Sequence, residues 1–115
     1  MEISFQNEPD YFLAKLQGNF DSSETAKLRR ELLPIVQSNG NKLLVDLSGL
    51  TYVMSEGLGQ FVNLVVEARK ASSRVVFFAP TPLVETVIRA SNLNKLFTMT
   101  STRSEAIEAL KDGGE

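Results

Sequence analysis

At 115 residues, with 43% hydrophobic and 23% charged residues, the chain has the length and composition of one globular domain able to bury a core of its own. A formal charge of −2, with both signs spread along the chain, supplies no basic footprint for nucleic acid or an anionic membrane. The absence of cysteine and histidine removes disulfides, thiolate and most zinc sites, and the Ser-His and Cys-His catalytic arrangements.

The opening, MEISFQNEPD, is acidic and alternating where a signal peptide needs a basic start followed by an apolar run. The most apolar later stretch is closed by Glu67, Arg69 and Lys70, well short of a bilayer span. The chain is therefore expected to be cytoplasmic, without membrane insertion.

In chain order, Ile3–Asn7 alternates apolar and polar residues, and a second such run begins at Tyr11 after the turn Asn7–Asp10. The two predict a β-hairpin, its second strand ending at Gly18. Asp21, Ser22 and Ser23 supply N-cap candidates for a helix through Ala26, Leu28, Leu32 and Val36, with Pro34 predicting a kink or break before the helix resumes to about Gln37. Ser38–Asn41 is a stop and turn.

Leu43-Leu44-Val45 is a short apolar run, as expected of a strand buried on both faces of a sheet. A Ser48-Gly49 turn follows, and Ser55 opens a helix in which Leu58, Phe61, Val62, Val65 and Ala68 recur at three and four residues. Arg74–Phe78 predicts another buried strand, and Thr81 or Pro82 a third helix reaching the Asn92–Asn94 turn. Leu96–Met99 predicts a short last strand, and Ser104 caps a final helix through Leu110. Residues 111–115 are expected to fray. Strand and helix in alternation imply parallel pairing through crossovers, so the expected fold is α/β. It comprises a single domain over residues 1–115, a mixed sheet of four to five strands, antiparallel at the hairpin, and about four helices packed against it.

Chemistry concentrates in VDLSGLTYVMSEGLG, Val45 to Gly59. Asp46-Leu47-Ser48-Gly49, the filler Tyr52-Val53, and Ser55 with Gly57-Leu58-Gly59 resemble the two-part signature of STAS domains, in particular the bacterial anti-sigma-factor antagonists. That signature reads Asp-Leu-Ser-Gly, two or three apolar residues, then Asp-Ser-Ser-Gly-Leu-Gly at a helix start. The order of elements and Gly18-Asn19-Phe20-Asp21 before the first helix are similar too, so the resemblance covers nearly the whole chain.

The resemblance implies a phosphorylation switch. Ser55 corresponds to the serine that a partner, at once anti-sigma factor and kinase, phosphorylates, and that a serine phosphatase restores. Unphosphorylated, such a domain binds the anti-sigma factor; phosphorylated, it lets go. The implied partner face is Met54, Glu56, Gly57 and Leu58 around Ser55, flanked by Asp21 and Ser22.

Two positions depart from the pattern. Met54 replaces the family's Asp, bringing an adaptable apolar side chain to the interface, and Glu56 replaces its second serine with a fixed negative charge. Glu56 in the first turn gains about 0.3–1 kcal/mol from the helix dipole. A phosphate at about 6 Å in a near-water dielectric would be repelled by about 0.7 kcal/mol per unit charge, enough to cancel that gain without forbidding phosphorylation.

An alternative stays open, in which Ser55 is only a helix cap and the chain is a constitutive scaffold or transporter-associated STAS subunit. No enzyme is expected, since no nucleophile-base pair is visible and Glu105 and Glu108 lie three apart on a surface helix. No cofactor and no metal is called for.

Overall fold

The computed structural model describes residues 1–111. Its strands are β1 (Glu2–Asn7), β2 (Phe12–Phe20), β3 (Lys42–Val53), β4 (Arg74–Phe78) and β5 (Met99–Thr100). Its α-helices are α1 (Thr25–Gln37), α2 (Ser55–Lys70), α3 (Pro82–Ala90) and α4 (Arg103–Lys111), with 3-10 turns at Ser22–Glu24 and Leu93–Lys95. The spatial order of the strands is their chain order: β1 is antiparallel to β2, and every later pair is parallel. The architecture is the mixed five-stranded sheet with four helices that the sequence predicts.

Crossovers of one hand that step in one direction across a sheet leave their helices on one face. Accordingly α1, α2 and α3 share the larger core with Leu43, Val45 and Leu47 of β3, through Leu28, Leu32, Phe61, Leu64, Val84 and Ile88. The last helix returns on the other face, where Ala106 and Leu110 cover Leu13, Leu44, Val76 and Phe78. Leu43, Leu44 and Val45 are buried from both sides, as their continuous apolar run requires.

Several boundaries differ from expectation. The Ser48-Gly49 pair does not end the strand; β3 runs on to Val53. Its register against β2 slips between Lys15 and Gln17 and again between Gly18 and Asn19, so the apparent turn is a bulge. The Asp46 carboxylate accepts from the Ser48 N–H at 2.9 Å within it. A Cβ at Gly49 would lie 2.8 Å from Gln17 Cγ and 3.0 Å from the Leu16 carbonyl oxygen, which is why glycine stands there. Likewise β2 does not end at Gly18 but passes through it at φ +96° and continues to Phe20.

Pro34 neither breaks nor ends α1, which is continuous to Gln37. Pro34 is exposed in the last turn, and Arg30, whose carbonyl loses its usual helical donor to the proline, is an exposed residue as well. Thr102, not Ser104, caps α4, its hydroxyl accepting from the Glu105 N–H at 3.2 Å. The final strand is Met99–Thr100 rather than Leu96–Met99, because the Leu96 and Phe97 N–H groups both donate to the Leu93 carbonyl of the preceding 3-10 turn. Lys111 closes α4 instead of fraying, and residues 112–115 lie outside the described residues.

Candidate functional site

The two segments singled out from the sequence leave the sheet side by side. Phe20 ends β2 and pairs with Val53, the last residue of β3, and the Met54 N–H donates to the Phe20 carbonyl at 2.9 Å. Asp21 and Met54 are therefore the first residues beyond two adjacent parallel strands, at their carboxyl ends, where open α/β sheets present their sites.

On the β2 side Asp21 caps the 3-10 turn that leads into α1. Its carboxylate accepts from the Ser23 N–H at 3.0 Å and the Ser23 hydroxyl at 2.5 Å. Those two bonds, the hydroxyl's foremost, hold the Asp21 carboxyl below its ordinary value. Asp21 thus caps Ser22–Glu24 and not α1 directly, while Ser22 is exposed beside it.

On the β3 side the N-cap of α2 is Met54, in extended conformation, and Ser55 is the first helical residue. Met54 contributes only its carbonyl, which accepts from the Leu58 N–H at 3.0 Å, and no side chain caps the helix. The alternative that makes Ser55 only a helix cap does not match this geometry: its side chain is exposed and makes no capping bond. The N–H groups of the first turn have no acceptor inside the helix, and the positive end of its dipole points out beside the Ser55 hydroxyl. Met54 is 37% exposed, and Glu56 is exposed next to Ser55. Among the described residues neither Asp21 nor Glu56 enters an ion pair.

Gly57 and Leu58 face the other way. Leu58 is 5% exposed and belongs to the core. A Cβ at Gly57 would meet Phe20 Cδ2 and Val53 Cγ2, each at 2.9 Å, so this glycine lets the helix start close on the two strand ends. Gly59, by contrast, is exposed, with nothing within 4 Å of the point a Cβ would occupy. Of the expected face, Met54, Ser55, Glu56, Asp21 and Ser22 reach the surface, and Gly57 and Leu58 support it from below.

Beneath the face lies an aromatic cluster. Phe20 sits 5.4 Å from Phe61 between ring centroids, and Phe61 sits 5.1 Å from Phe77 and 6.2 Å from Phe97. Each such pair contributes about 0.5–1.5 kcal/mol beyond its buried area. The ring under Gly57 is thus tied through α2 to β4, and the helix start rests on packed aromatic rings.

Tyr52, expected as apolar filler, is 41% exposed, one residue before the buried Val53. Alternation in a strand running to Val53 would have placed it outward, but the bulge hides that period. Next to it, the Thr51 hydroxyl donates to Asn19 Oδ1 at 2.6 Å, fastening the ends of β3 and β2. Chemically the site offers an exposed hydroxyl at an open helix start, with an apolar neighbour and two carboxylates nearby. Among the described residues no group of three or more acidic side chains could hold a metal ion, and no helix is long and apolar enough to cross a membrane.

Comparison with known proteins agrees with this geometry. BtrV of Bordetella bronchiseptica, provisionally named an anti-sigma factor antagonist, is 25% identical over 111 residues, 96% of each chain. An anti-sigma factor antagonist from Mycobacterium paratuberculosis superposes with a TM-score of 0.85 at 20% identity, covering 96% of this chain and 94% of that one. The anti-sigma factor antagonist SpoIIAA in its unphosphorylated form gives 0.78 at 20% identity, covering 99% and 100%. The same Bacillus protein in its phosphorylated form gives 0.71 at 19%, covering 93% and 97%. A family model described as "Mlab, STAS domain" matches residues 4–100, and the chain belongs to the STAS domain family.

Proposed function

We propose that the chain is an anti-sigma-factor antagonist of a partner-switching circuit. Unphosphorylated, it binds an anti-sigma factor that is also a serine kinase; phosphorylated on Ser55, it is released, and a serine phosphatase returns it to the binding form. It acts by binding rather than turnover, as a single domain in the cytoplasm. The observation that carries this reading is the Ser55 hydroxyl, exposed at the first position of α2 and free of any capping duty. The names of its relatives and the two phosphorylation states of SpoIIAA support it.

The physical logic follows from the site. A phosphate on Ser55 adds nearly two negative charges beside Glu56, on a face that also carries Asp21. Open first-turn N–H groups accommodate it, so the helix survives. A docked partner would have to desolvate that charge, and Met54, the apolar contact, lies next to it. The switch is then electrostatic, working through the partner.

Glu56 favours a second reading, in which this fixed charge beside Ser55 makes the face a permanent dock of a scaffold or transport assembly. The murine anion transporter Slc26a9, in its inward-facing state, contains a region of this fold, with a TM-score of 0.76 at 13% identity over 94% of this chain and 19% of that one. Incubation with the cognate kinase and ATP separates the two. Phosphate incorporation that vanishes in Ser55→Ala supports the switch; no Ser55-dependent incorporation leaves the fixed dock.

A further inference from the structure

We propose that β1 is a self-association edge, pairing antiparallel with β1 of a second copy about a twofold axis at Ser4. The edge involves none of the residues around Ser55, so it stands or falls independently of the switch.

Among the described residues β1 is the end strand of the sheet and pairs with β2 alone, over an unbroken register from Glu2↔Gln17 to Asn7↔Phe12. In an extended strand, backbone N–H and C=O groups point alternately to the two sides, so half of those in β1 face outward without a strand to receive them. Proteins usually blunt such an edge with a proline, a lysine or a bulge. Here EISFQN contains none of these, and its one charge is Glu2. Instead it exposes Phe5, at 42%, on the side of the sheet where Ile3 packs against the larger core.

The chemistry that satisfies an open strand edge is another extended strand, and the side chains select this one. Centring on Ser4 places Ile3 opposite Phe5 of the second copy, twice, and Glu2 opposite Gln6, twice. Both apolar residues then gain an apolar cross-strand neighbour and no like charges meet. Centring on Phe5 instead would bring Glu2 opposite Glu8, a like-charge pair. The twofold axis runs perpendicular to the sheet, so α1–α3 of both copies lie on one side and the sheet continues through the pair. Because β1 lies at the sheet edge, both Ser55 faces stay open, and the dimer would present two of them. Five paired residues a side make a small interface, so the association belongs to the weak class.

The chain has no cysteine, so a single introduced thiol reports the register without interference. Ser4 and Gln6 are both exposed and lie on the same side of β1, which makes collisional cross-linking equal for the two. Under mild oxidation at about 0.1 mM protein, Ser4→Cys is expected to form an intermolecular disulfide roughly tenfold faster than Gln6→Cys, because only position 4 faces itself. In sedimentation velocity the unmodified protein is expected to shift toward dimer as concentration rises to about 1 mM, and Phe5→Lys to weaken that dimer roughly tenfold or more. Leu83→Lys, at an exposed leucine of α3, is expected to leave it unchanged. Equal cross-linking at positions 4 and 6, a monomer throughout, or a dimer that Phe5→Lys leaves intact would each overturn the proposal.

Discussion

Gly57 and Gly59 are two residues apart in one helix, yet replacing each by alanine is expected to move stability in opposite directions. At Gly57 the new methyl would stand 2.9 Å from Phe20 Cδ2 and 2.9 Å from Val53 Cγ2. Neither neighbour yields easily: Phe20 is fully buried and held against Phe61, and Val53 is 2% exposed. Overpacking costs about 1–3 kcal/mol, and two contacts under 3.0 Å with fully packed neighbours put this site in the upper part of that range, about 2–3 kcal/mol, of which alanine's better helix propensity returns about 1 kcal/mol. The net expectation is a loss of about 1–2 kcal/mol. At Gly59 a methyl meets nothing within 4 Å, so only the propensity and unfolded-state terms remain, a gain of about 0.5–1 kcal/mol. In urea, where a chain of this size loses roughly 1–1.5 kcal/mol of stability per molar, the two midpoints should separate by more than about 1 M, with the unmodified protein between them. Midpoints that shift the same way would refute the assignment of Gly57 as a packing glycine and Gly59 as a free one.

Two further expectations concern the same carboxyl end of the sheet. Met54→Ser gives α2 the side-chain cap it lacks and should raise stability by about 0.5–1 kcal/mol in the same urea assay, while weakening partner binding by removing the exposed apolar contact. Asp21, its carboxyl held below the ordinary 3.8 by Ser23, favours the folded state when ionised. That contribution is complete above 3.8 and is lost as pH falls from there through the lowered folded value. Urea titrations from pH 6 to about pH 2.5 should therefore show a steeper acid loss in the unmodified protein than in Asp21→Asn, which caps without titrating; parallel curves would contradict the carboxylate's role.

Much of the fold was legible because its elements carry strong local signals. The period of Leu58, Phe61, Val65 and Ala68 marks α2, and the run Val75–Phe78 marks β4. Failures came where two elements met through an irregularity. Gly18 and Ser48-Gly49 have turn composition, but in the sheet they are bulges that keep β2 and β3 paired as far as Phe20 and Val53. A single sequence does not distinguish a glycine that turns the chain from one that lets two strands approach. The same difficulty recurs at the site. Ser55, Met54, Glu56, Asp21 and Ser22 were found by their place in a motif, and the structure puts them at neighbouring strand ends. That Gly57 and Leu58 point inward, and that Ser55 is the first helical residue rather than the cap, depends on where the helix begins, which is set by the Met54 bond to Phe20. Pro34 leaves α1 continuous because it falls in the last turn, one turn after the exposed Arg30 whose carbonyl it leaves without a helical donor.

The central claim is that the exposed start of α2 is a partner face switched by charge on Ser55. The most direct measurement is the affinity of the cognate anti-sigma kinase, by calorimetry, for the protein before and after phosphorylation, with Ser55→Ala carried through the same treatment. Phosphate is expected to weaken binding roughly a hundredfold or more, a loss of about 2.7 kcal/mol, with Ser55→Ala binding tightly throughout. Equal affinity of the two forms would contradict that claim.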